Sequence, residues 1–214
     1  MNILRRCRQR RKVESLKITF LLIIVFITIT SCSKAVYKPT VQPHDENVVM
    51  QALHDMIQEV DTVPSSVGLE LYFLEVMRVV HHAALGTMMF HEAKNDSLVR
   101  FGEKIFKHMH ALIYDSINLS LITAVNDDSA FKAELAASME KMSKVADAKI
   151  ITGVSDYDYA TLMIPHHEFV ISICNSYLKY GIDTNIRDIA QEIITVQNME
   201  ILELSNWLIA NKLK

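Results

Sequence analysis

Residues 156–180 read DYDYATLMIPHHEFVISICNSYLKY, and the fold class turns on their periodicity. Steps of three and four from Asp156 pass through Ala160, Met163, His167, Val170, Cys174 and Leu178. That spacing lines one face of a helix and marks the side a core would cover. An earlier stretch repeats it with Glu70, Leu74, Met77, His81, Ala84 and Met88. At a constant offset of 86, Glu70 falls on Asp156, Phe73 on Tyr159, Met77 on Met163, His81 on His167 and Met88 on Cys174. Each stripe thus presents a carboxylate, a thioether, an imidazole and a second sulfur at spacings of 7, 4 and 7 residues.

Working outward, each stripe opens a pair of helices, 69–125 and 156–211, and the duplication predicts a four-helix core of two helical hairpins. A polar helix over 128–150 connects the pairs. An accessory helix over Asp45–Asp61 stops before Pro64. The asparagine, aspartate and serine at 95–97 suit a helix start, as do Ser155 and the Asp183-Thr184 pair. Gly181 suits the C′ position that closes a helix. No segment alternates with period two, and the whole chain of 214 residues holds only 5 Gly and 4 Pro. The expected fold is all-α.

Neighbouring residues on a helix point about 100° apart, so His81 and His167 face the core while His82 and His166 flank them. The last helix has a stripe of Ile186, Ala190, Ile193, Gln197, Glu200, Leu204 and Leu208, in which Gln197 and Glu200 interrupt apolar residues. A buried carboxylate needs a partner, and His166 or His167 is the natural one. The first hairpin has Leu98, Gly102, Ile105, Met109 and Leu112 in the corresponding place, flanked by His108 and His110, so its donors are softer. Imidazole with sulfur suits Cu(I), whereas imidazole with carboxylate suits Zn(II), Cu(II) or iron. The candidate metal ligands are His81, His82, His166, His167, Met77, Met163, Met88, Asp156, Glu70, Gln197 and Glu200, with copper expected ahead of zinc or iron. The competing reading makes the methionines packing residues and the His–carboxylate pairs structural, in a helical interaction module. His44 and His54 read as surface or tether residues.

Several chemistries are excluded. No Glu-x-x-His occurs, which removes the usual di-iron signature of helical bundles. His-Glu-x-x-His, Gly-x-Ser-x-Gly and a glycine-rich phosphate loop are also missing. No catalytic residue is assigned, and an enzyme is not expected.

The N-terminus carries its own message. Arg5, Arg6, Arg8, Arg10, Arg11 and Lys12 precede an apolar run, Ile18–Ile29, too short for the ~20 residues a membrane span needs. This is the pattern of a secretory signal over 1–31. It ends Ile29-Thr30-Ser31-Cys32, which resembles a bacterial lipobox, so Cys32 is the expected lipidation site and 32–44 a tether, with the helical domain over 45–214. Loss of that signal takes seven of 22 basic residues and one of 25 acidic ones, leaving a net charge of −9. An acidic domain is a poor nucleic-acid binder but accepts cations. The expected partners are a metal ion and, through the lipid, the membrane of a bacterial envelope. Only Cys174 remains in the domain, so no internal disulfide is available.

Asp156-x-x-Tyr159-x-x-x-Met163-Ile164-Pro165-His166-His167, followed by Gln197-x-x-Glu200-Ile201 and Trp207-Leu208, resembles the bacterial domain-of-unknown-function family numbered 305. The match is close over 156–208 and loose over 69–125, where Val80 replaces the motif proline and the histidine pair is shifted by one. The resemblance implies a ferritin-like fold of two similar hairpins in secreted proteins. For some members it also implies copper binding through His and Met in the periplasm. Its motif positions here are Asp156, Met163, His166, His167, Gln197 and Glu200.

Overall fold

In the computed structural model, residues 41, 43–64, 68–81, 94–115 and 128–213 are described, and every regular element among them is helical. A single 3-10 turn, His44–Glu46, leads into α1 (Val48–Val60), α2 (Leu69–His81), α3 (Asp96–His110), α4 (Ser129–Asp147), α5 (Ser155–Tyr180) and α6 (Thr184–Ala210). The chain past α3 loosens into a π-type turn, Ala111–Asp115. These elements belong to one unit, Pro39–Leu213. The signal, Cys32 and most of the tether lie outside the described residues, as do residues 82–93, with His82 and Met88, and residues 116–125 at the end of the first expected hairpin. Among the described residues no helix is long and apolar enough to cross a membrane.

α5 and α6 form the most extensively packed pair, with α4 laid along α5 and α1 bridging α2, α4 and α5. Phe73 of α2 stacks on Tyr177 of α5 at 4.2 Å, and Phe131 of α4 meets Phe73 edge-on at 6.0 Å. All three rings are fully buried. Such pairs contribute about 0.5–1.5 kcal/mol each beyond the area they bury, and they lock the two hairpins and the connector together.

The helix ends show how the sequence chooses its breaks. Asn95 caps α3 by accepting from the Ser97 N–H, and Asp183 caps α6 by accepting from Asn185 and Ile186. Ser155 is not a cap. Val154 holds that position without a side-chain bond, and Asp158 reaches back instead. Its carboxylate accepts from the Thr152 N–H and hydroxyl, the Gly153 N–H and the Asn47 amide, at 2.7–3.3 Å. Gly153 makes this turn at φ 73°, a region that glycine alone enters freely.

Gly181 ends α5 for a different reason than expected. Its backbone is extended, φ −74° and ψ 144°, not left-handed. A Cβ there would lie 2.3 Å from the buried Tyr177 ring, so the position demands absence of volume.

The two hairpins are tied by a reciprocal pair of carboxylates. Glu70, in the first turn of α2, accepts from the Ile182 N–H, one residue before the cap of α6. Asp156, in the first turn of α5, accepts from the Lys94 and Asn95 N–H groups at the start of α3. Each hairpin's first helix therefore clasps the other hairpin's second helix. The internal repeat thereby reads out as a pseudo-twofold pair of contacts.

Candidate metal centre

Pro165 sits inside α5. It has no N–H for the carbonyl of Thr161, and the two residues that follow it are His166 and His167. All three are buried. The rings of His166 and His167 lie 5.8 Å apart and nearly perpendicular, at 73°. His81, at the last residue of α2, approaches the same region, near enough to feel the charge of His167 and to act on His166.

His81 and His167 are held alike. The Nδ1 of His81 lies 2.8 Å from the Met77 carbonyl oxygen, and that of His167 lies 2.7 Å from the Met163 carbonyl oxygen. A carbonyl oxygen can only accept, so in both rings Nδ1 carries the proton and donates it. This is the arrangement by which proteins fix a histidine tautomer and aim its other nitrogen. In the neutral ring that leaves Nε2 as a bare lone pair. Nε2 of His81 is buried without a hydrogen-bond partner, and so is Nδ1 of His166.

Burial also decides their charge. Desolvation, reinforced by His167, lowers the His81 pKa to about 4. His166 is pushed well below its usual range by burial first, then by His167 and His81. Both rings are therefore neutral at ordinary pH and can offer a nitrogen lone pair.

From α6, Glu200 brings Oε2 to 3.2 Å of His167 Nε2, with both side chains almost fully buried. The contact is within ion-pair range but off hydrogen-bond direction, and both oxygens of Glu200 lack a hydrogen bond. Gln197 is buried one turn earlier with its Oε1 unpartnered. Tyr159 faces the same carboxylate. Its phenol is raised by burial and by the Glu200 charge, and its hydroxyl has no hydrogen bond. Sequence reasoning aligned Tyr159 with Phe73 but gave it no part in the site; the signal was its position, one turn before Met163.

The structure thus brings together His81, His166, His167 and Glu200, with Gln197 beside Glu200. Met77 and Met163 are fully buried one turn before the two tethered histidines. Glu70 and Asp156 are not brought there, since eleven residues of helix separate each from its histidine, about 16 Å along the axis. Their carboxylates serve the clasps. Cys174 is buried, and burial raises its thiol, so it packs as a small apolar group two turns beyond His167. Among the described residues no group of three or more His, Cys, Asp or Glu side chains is arranged to hold a metal ion.

Fold and site define an all-α helical bundle with a buried histidine cluster. The chain belongs to the domain-of-unknown-function family DUF305, whose model matches residues 70–208. That span runs from the Glu70 clasp to the residue after Trp207, taking in both hairpins and every described residue of the centre. No curated protein and no solved structure matches the chain.

Proposed function

We propose that this chain is a lipid-anchored protein of the bacterial envelope that binds copper as the cuprous ion, for sequestration or tolerance. His81 and His167 would be the inner ligands, with His166 beside them and Met77 and Met163 supplying thioether sulfur. One observation carries the reading: a buried imidazole nitrogen, His81 Nε2, whose ring is fixed through Nδ1 and whose lone pair meets no donor. Burying such a group without a partner costs about 1–3 kcal/mol, and a soft cation would satisfy it. Cu(I) suits imidazole and thioether and does not call for a cage of carboxylates or thiolates. The Met163 carbonyl would orient His167 through Nδ1, and Glu200, beside Nε2, would offset the charge of the ion. The envelope location rests on the basic start, the short apolar run and the Cys32 lipobox.

A second reading has its own support. The contact between His167 and Glu200 and the backbone ties of both histidines would also serve a purely structural core in an interaction module. Titration with Cu(I) against a competing chelator separates the two. Micromolar or tighter binding that weakens at least tenfold in a His81→Ala/His167→Ala variant supports the copper reading. No binding, or equal binding by the variant, leaves the module.

A further inference from the structure

α6 carries two lines of side chains with the spacing of a helix seam. On its inner side Ile186, Ile193, Gln197, Glu200 and Leu204 are buried, with α5 packed along the helix. On the opposite side, steps of four and three pass through Thr195, Met199, Leu202, Asn206 and Ile209, and all five are exposed. Met199 is 52 % exposed, Leu202 61 % and Ile209 63 %. Among the described residues seven large apolar side chains are exposed, and three of them fall on this one line. A surface helix ordinarily turns polar residues outward, so an apolar line there calls for a cover.

We propose that two copies of this chain pair through this face, α6 against α6, in a parallel two-stranded seam. A twofold pair uses one patch twice, so the patch must suit itself. In heptad terms Met199 and Asn206 take a positions, and Thr195, Leu202 and Ile209 take d positions. A parallel pair sets each of these against its own counterpart, so that leucine packs on leucine and the Asn206 amides bond across the axis. A single asparagine at an a position fixes register and strand number at some cost in stability. None of the five positions is charged, while the domain is otherwise acidic, so two copies meet here with the least repulsion. Along the rim, Glu203 falls opposite Asn198 of the second copy and Ser205 opposite Ala210, which keeps like charges out of register. The seam is about 21 Å long and a helix about 10 Å across. That is a few hundred Å², against roughly 800 Å² per partner in a standard interface. The pair is therefore weak in dilute solution and gains from confinement to one surface. Its twofold axis runs along α6 and turns the same end of both domains to one side, as two copies anchored in one membrane, in the reading above, require.

Sedimentation equilibrium of the full chain in density-matched detergent reads the stoichiometry. The expected result is a reversible dimer with a dissociation constant in the micromolar range or weaker. Leu202→Glu/Ile209→Glu should weaken it by about 100-fold or more, since it brings like charges together in the seam. Both residues are exposed, and circular dichroism confirms that the variant folds. Orientation is read by oxidation with diamide. Met199→Cys and Ile209→Cys should each form disulfide-linked dimers on their own, while Ala136→Cys, on the exposed side of α4, should not. A monomer at every concentration up to millimolar, or a dimer that Leu202→Glu/Ile209→Glu leaves unweakened, overturns the proposal. Linkage only when the Met199→Cys and Ile209→Cys chains are mixed means an antiparallel pair and overturns it too. None of these readouts involves copper, so failure here leaves the buried centre standing.

Discussion

Replacing His167 by leucine should strand the Glu200 carboxylate in the core of the metal-free protein. Both side chains are about 1 % exposed, and the histidine is the ion-pair partner of that carboxylate. Removing one member of a buried pair costs about 3–5 kcal/mol, whereas replacing both with apolar residues of similar size is often close to neutral. Glu200→Met alone leaves His167 Nε2 facing an apolar wall, at a loss of about 1–3 kcal/mol. The double variant should therefore be far more stable than the sum of the single losses implies, with a coupling of about 4 kcal/mol or more where the double loss is close to neutral. Urea unfolding followed by circular dichroism measures it. With a slope of about 1–3 kcal/mol per molar urea, His167→Leu lowers the midpoint by at least 1 M, roughly, and Glu200→Met restores much of it. Losses that simply add would show that the two side chains do not depend on each other, and the account of the pair would fail.

Other consequences follow from the same packing. Gly181→Ala should cost about 1–3 kcal/mol in the same urea assay, because the new methyl meets the buried Tyr177 ring; an unchanged or raised midpoint would mean that the ring yields freely. Asp158→Ala deprives Thr152, Gly153 and Asn47 of their shared acceptor and should cost about 3 kcal/mol, since buried donors are left unpaired. For His81, the folded pKa of about 4 lies below the ordinary 6.5, so the unfolded chain binds the extra proton between those values. Stability of the metal-free protein is then full above pH 6.5 and falls as the pH drops towards 4, by up to about 1.4 kcal/mol per pH unit. His81→Leu should flatten that slope in denaturation series across the window, and an unaltered slope would count against a neutral, buried His81.

Much of this architecture was legible because it is written twice. The offset of 86 placed Met77 with Met163 and His81 with His167, and both histidines prove to be tied to the carbonyl four residues back. The apolar stripe also picked out Glu200 as a buried acid in need of histidine. What periodicity could not convey is which end of a helix meets which partner. Glu70 and Asp156 lie on the ligand stripe, yet about three turns from the imidazoles, and backbone N–H groups at the start of the other repeat's second helix claim them. Gly181 looked like a left-handed C′ residue because that is the common use of glycine there; only the position of Tyr177 reveals a steric demand. Ser155 has the right chemistry for a cap, but Asp158 offers a charged acceptor three residues later and outcompetes it.

X-ray absorption at the copper edge, on the protein loaded with one equivalent of Cu(I), addresses the central claim most directly. The account predicts a two- or three-coordinate cuprous ion bound by imidazole nitrogen with a thioether sulfur, and loss of that signal in His81→Ala/His167→Ala. A spectrum with only oxygen neighbours, or one identical in the double variant, would contradict it.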